Sequence, residues 1–100
     1  MSKKTTTKPV LLEPLEQEEL LGAMRSLWEY IGGDAEAACQ EAGERLTNAC
    51  AIEFVLDAGR LEERLKGRED KALAYKAYQK LKAASWGDQM KWAKTHCHYA

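Results

Sequence analysis

The side chains best suited to chemistry sit together near the end of the chain, where His96, Cys97 and His98 follow one another. Two imidazoles one residue apart converge on a metal only from extended backbone; on a helix they diverge by about 200°. No acidic or cysteine ligands are placed to complete such a site, so exposed, unliganded histidines are expected, with no metal and no cofactor. The same residues fail as a Cys–His nucleophile. Neighbours in sequence are poorly aimed at one another, and neither an orienting group nor an oxyanion-hole signal accompanies them. The remaining thiols, Cys39 and Cys50, make an odd set of three without zinc-site spacing, which points to reduced cysteines in a cytoplasmic setting. On one continuous helix they would lie roughly 16 Å apart along the axis, too far for a disulfide, so they are expected as small core residues. No glycine-rich phosphate loop follows a strand and no internal repeat is visible. The expected protein is not an enzyme.

Charge is distributed more tellingly than chemistry. Residues 34–66 hold eight carboxylates against four Lys or Arg, whereas from residue 67 onward seven basic side chains face three acidic ones. The chain as a whole is nearly neutral, with a formal charge of −1, so only the location of charge is informative. Asp34, Glu36, Glu41 and Glu44 are the candidate acidic interaction residues. They form either a solvated face or a row of carboxylates able to occupy the basic channel of a nucleic-acid-binding partner. On the basic side, Lys71, Tyr75, Tyr78 and Lys82 recur at steps of four, three and four, and Trp92 lies between Lys91 and Lys94. The tyrosines are either packed against another helix or exposed as binding anchors. Basic plus aromatic invites a nucleic-acid role, but no arginine cluster is present and the acidic segment would repel phosphate.

Helices must position these groups. Pro14 suits a first helical position, and Leu20, Leu21, Met24, Leu27, Trp28 and Ile31 recur at three- and four-residue steps. Gly32 and Gly33 are expected to end that helix, with Asp34 capping the next, whose stripe of Ala35, Ala38, Cys39, Ala42, Leu46 and Ala49 permits close packing. The period falters at Thr47 and Asn48. Residues 50–56 alternate enough to allow a strand, but no second strand-like run offers a partner, so a buried helix is expected there. Gly59 and Gly67 bracket a short helix, Arg60 to Lys66, tethered by Leu61 and Leu65. A further helix from about Glu69 to Ala84 directs Leu73, Ala77, Leu81 and Ala84 inward, and Ser85 or Asp88 caps the last helix.

One hundred residues, 45% hydrophobic and 31% charged, suffice for one core. The expectation is an all-α, compact single domain of four or five helices over residues 13–100, preceded by a flexible arm over residues 1–12 that lacks the apolar stretch of a signal peptide. Leu27, Trp28, Leu46, Phe54, Leu56, Leu73 and Leu81 are the expected core. No run approaches membrane-spanning length, so a cytoplasmic protein is expected, as a monomer or homodimer.

In size, in its lone helical domain, in the acidic run Asp34 to Glu44 and in the missing enzyme signature, the chain resembles the small anti-CRISPR proteins of phages and mobile elements, particularly inhibitors of type I-F surveillance complexes. The resemblance is one of type rather than of motif. It implies binding to a Cas subunit surface and blocking of target DNA access in the host cytoplasm. The alternative is a small helical nucleic-acid-binding or regulatory protein using the basic, aromatic C-terminal helices.

Overall fold

The computed structural model describes residues 10–57 and 59–99, and these are helical throughout their regular parts. Five α-helices follow in order: α1 (Pro14–Glu41), α2 (Asn48–Asp57), α3 (Arg60–Leu65), α4 (Ala72–Lys82) and α5 (Trp86–His96), with a 3-10 turn at Glu69–Lys71 leading into α4. No strand occurs among the described residues, so the stretch around Phe54 is helix, as the lack of a pairing partner implied. Of the expected N-terminal arm, residues 1–9 lie outside the described residues, and Val10 and Leu12 pack half-buried against the core.

The 28-residue α1 is the spine. At 1.5 Å per residue it extends about 42 Å, close to the 44 Å longest dimension of the molecule. Leu20, Met24, Leu27 and Ile31 present one apolar stripe, which packs most extensively along α4. The expected break at Gly32-Gly33 does not occur, and Asp34 caps nothing. The stripe simply continues: Ile31, Ala35 and Cys39 stay buried at four-residue steps, and that burial offsets the cost of glycine inside a helix, about 1 kcal/mol each. Gly32 serves close approach instead, because a Cβ there would stand 3.3 Å from Cε2 of Trp28. Termination falls ten residues later. Gly43 adopts φ 72°, its N–H donates to the Gln40 carbonyl, and the Glu44 N–H donates to the Cys39 carbonyl at 2.8 Å, the paired bonds of a left-handed helix cap.

The faltering period at Thr47 and Asn48 is a helix start. The Thr47 hydroxyl accepts the Cys50 N–H at 3.2 Å, capping α2, which buries Ala51, Ile52, Val55 and Leu56. Gly59 and Gly67, at φ 70° and 76°, flank α3 as their spacing suggested, and Leu61 and Leu65 tie it to the core. On α4 the inward face is Ala74, Ala77, Tyr78 and Leu81, rotated from the expected one: Leu73 is only half-buried, as is Leu46 in the loop before α2. Trp28 and Phe54 are likewise partly buried, packed against the core cluster rather than enclosed by it. Ser85 caps α5, its hydroxyl accepting the Asp88 N–H at 3.2 Å.

Two polar devices fasten the ends. The Glu16 carboxylate, 1% exposed, accepts a bond from the Lys80 ammonium at 2.8 Å and another from the Glu13 N–H at 3.0 Å, joining the start of α1 to α4. At the other terminus the Asn48 amide donates to the Cys97 carbonyl at 2.9 Å and accepts the Tyr99 N–H at 2.7 Å. The Tyr99 ring then stacks on Trp28 with centroids 5.5 Å apart, strapping the segment after α5 across α2 and α1.

Candidate interaction surface

The acidic residues are exposed but do not form one row. Asp34 and Glu41, seven positions apart, nearly eclipse on α1, whereas Glu36 lies about 160° away and the buried Ala35 separates it from Asp34. Glu44 has left the helix altogether. The carboxylates therefore flank the packed stripe on both sides; Asp34, Glu36 and Glu44 border three depressions, and Glu41 borders none of these three.

The first depression, about 430 Å³, lies where the end of α1 meets α2. Ala38, Cys39, Cys50 and Phe54 supply apolar lining, and Glu44, Glu53, Asp57 and Arg60 its polar part. Cys39 and Cys50 thus line one groove from two different helices rather than standing apart along one continuous helix, because α1 ends before Gly43 and α2 begins at Asn48. Burial, with the nearby Cys50 and Glu44 adding to it, pushes the Cys39 thiol up, which disfavours thiolate chemistry. The second, about 510 Å³, is bounded by Glu36, Gln40, Glu44 and Arg45. The third, about 370 Å³, is bounded by Tyr30, Asp34, Arg60, Glu63 and Arg64. Here Tyr30 stands 77% exposed, the Arg64 guanidinium sits 5.6 Å from its ring centroid, and Arg64 also donates to the Ser26 hydroxyl at 3.3 Å. Sequence reasoning passed over Tyr30, whose signal is its position off the α1 stripe, one residue before Ile31.

The basic side is built differently. Tyr78 is 5% exposed and Trp92 7%, so neither presents a free aromatic face. Burial raises the Tyr78 phenol further, keeping it protonated. Tyr75 is half-buried, its ring 6.2 Å from that of Tyr78, and Lys71 is half-buried too. The Lys82 ammonium donates to the Leu56 carbonyl at 3.3 Å and lies 5.6 Å from the Trp86 ring centroid, leaving Trp86 as the exposed aromatic of this region.

His96 and His98 are exposed while Cys97 between them is buried, so the three do not converge. Burial holds the Cys97 thiol and the Tyr99 phenol above their ordinary ranges, which keeps both protonated. Among the described residues no group of three or more His, Cys, Asp or Glu could hold a metal ion, and no helix is long and apolar enough to cross a membrane. No protein family, curated protein or solved structure matches the chain.

Proposed function

We infer that this chain is a stoichiometric protein-binding inhibitor of the anti-CRISPR kind, which attaches to a Cas surveillance complex and blocks target DNA binding. The observation that carries this reading is the exposed acidic end formed by the last turns of α1, the following loop and α2. Asp34, Glu36, Glu41, Glu44, Glu53 and Asp57 all face solvent there, and the ion pairs within 4.0 Å among the described residues lie elsewhere, at Arg68–Asp70 and Lys80–Glu16. Exposed carboxylates that close no ion pair complement a basic nucleic-acid channel, giving rapid attraction and competition with phosphate. The exposed Tyr30 beside Arg64 adds the residue types that dominate protein interfaces. The rival nucleic-acid reading loses Tyr78 and Trp92 as stacking surfaces, since both are turned into the core, and keeps Trp86 beside Lys82.

Reversing Asp34, Glu36, Glu41 and Glu44 to Lys together tests the reading, because exposed positions leave the core intact. The unaltered chain should bind a purified type I-F surveillance complex and prevent its shift of target duplex DNA in a gel. The reversed variant, with an unchanged helical circular-dichroism spectrum, should lose at least a hundredfold in affinity. Full inhibition by the variant removes the acidic mechanism, and no binding by the unaltered chain removes the anti-CRISPR reading.

A further inference from the structure

We propose that the groove between the end of α1 and α2 is a docking cleft for a protein segment that presents one apolar side chain flanked by Lys or Arg. This rests on the protein-binding reading above and names where on the acidic end the contact is made and with what chemistry.

The groove joins an apolar floor to an acidic border. Its floor is apolar, with Phe54 and Cys50 half-buried and Ala38 exposed, so small side chains leave an opening of about 430 Å³. The depression is open to solvent on its outer side, so a side chain can enter it without displacing the walls. Its border carries three carboxylates, Glu44, Glu53 and Asp57, against the single guanidinium of Arg60. Low-dielectric walls beneath such charges focus the field outward and concentrate cations at the mouth. An apolar side chain entering alone would gain from burial but leave the carboxylates unanswered. A phosphate or an anionic lipid headgroup would be repelled. A Leu, Met or Phe between basic neighbours satisfies floor and border together, with the apolar group as anchor and the cations at the rim.

The groove is also continuous with its neighbours. Glu44 lies both on this groove and on the neighbouring depression bounded by Glu36 and Arg45, and Arg60 lies both here and on the depression that holds Tyr30. Contact at the groove therefore extends to either side onto the same acidic end, with the anchored side chain near the middle, where interfaces concentrate their binding energy.

The test uses the full chain and two acetylated, amidated peptides, Lys-Lys-Leu-Lys-Lys and Lys-Lys-Gln-Lys-Lys, in an amide-shift NMR titration. The leucine peptide should shift the amides of Ala38, Cys50 and Phe54 saturably, and the glutamine peptide at least tenfold more weakly. Ala38→Trp, which fills the groove from an exposed position, should remove the leucine preference, as should Glu53→Lys with Asp57→Lys in a second variant. Equal shifts by both peptides, or shifts elsewhere, overturn the proposal. Shifts of the same amides that grow with protein concentration and without peptide also overturn it, identifying the groove as a contact between copies. The outcome separates from that of the functional reading. A leucine-specific groove in a chain that ignores the surveillance complex keeps the cleft and rejects the anti-CRISPR role. Inhibition of the complex, lost on reversal of Asp34, Glu36, Glu41 and Glu44 but untouched by Ala38→Trp, keeps the role and rejects the cleft.

Discussion

The acidic and basic ends of this molecule are built from similar materials and use them in opposite ways. Around α4 and α5 the large aromatics Tyr78 and Trp92 are committed to the core, and two of the lysines are bonded internally, Lys80 to Glu16 and Lys82 to the Leu56 carbonyl. Around the end of α1 and α2 the carboxylates stand exposed, Tyr30 projects outward, and the last turns of α1 pack through small side chains, Ala35 and Cys39. Local charge sign, readable from the sequence, is therefore a poor guide to which surface is available. What decides availability is whether the fold has already used the neighbouring aromatic and cationic groups to hold itself together.

The strongest challenge to that contrast comes from truncating one aromatic at each end. Trp92→Ala removes a buried indole of α5 and should cost about 3 to 5 kcal/mol of stability, read from urea unfolding. Tyr30→Ala, at a position 77% exposed, should change stability by less than about 0.5 kcal/mol while weakening binding to a partner. Equal losses of stability at both positions would mean that Tyr30 belongs to the core and that the acidic end is not a free surface.

These two aromatics also mark how far the sequence could be read. Elements signalled by local chemistry were legible: Gly59 and Gly67 around α3, Ser85 before α5, Pro14 at the start of α1, and a helix through Phe54. Features decided by packing were not. Gly32 and Gly33 carry the local signature of a stop, yet the burial of Ala35 and Cys39 beyond them and the ring of Trp28 over Gly32 keep the helix going. On α4 the choice between Leu73 and Tyr78 as the inward residue depends on the angle at which α1 crosses, which periodicity alone does not contain. The groove was hidden for the same reason. Its two cysteines come together only because Gly43, not Gly32, turns the chain.

An intermediate effect comes from acid, which should distinguish a carboxylate that holds the fold from those that do not. The Lys80 ammonium, followed by the Glu13 N–H, holds the Glu16 carboxyl below its ordinary value of 4.5 against the opposing pull of burial. A carboxylate whose folded pKa is depressed stabilises the native state above the unfolded pKa, and that stabilisation is lost as pH falls through the folded value. Thermal stability should therefore decline as pH falls below about 4.5, and Glu16→Gln should lower the melting temperature at pH 7 while flattening that decline. Glu41→Gln, at an exposed site, should do neither. A matching acid profile for the two variants would show that the Glu16–Lys80 contact is no more structural than the acidic surface.

The smallest expected effect is the sharpest on the backbone that carries that surface. Gly32 and Gly33 both lie inside α1, and the glycines of positive φ among the described residues are Gly43, Gly59 and Gly67. An added Cβ at Gly33 meets nothing within 4 Å, so Gly33→Ala should stabilise the chain by roughly 0.5 to 1 kcal/mol. At Gly32 the same methyl presses on the Trp28 ring at 3.3 Å, and moving that ring disturbs its stack with Tyr99, so Gly32→Ala should give little gain or a small loss. The sign of the Gly33→Ala change settles the continuity of the spine. Had the helix stopped there in a left-handed turn, alanine would be strained at both positions and both variants would be destabilised. The acidic residues from Asp34 onward would then belong to a separate helix, free to reorient with respect to α4, and the groove with Phe54 and Cys50 would have no fixed wall.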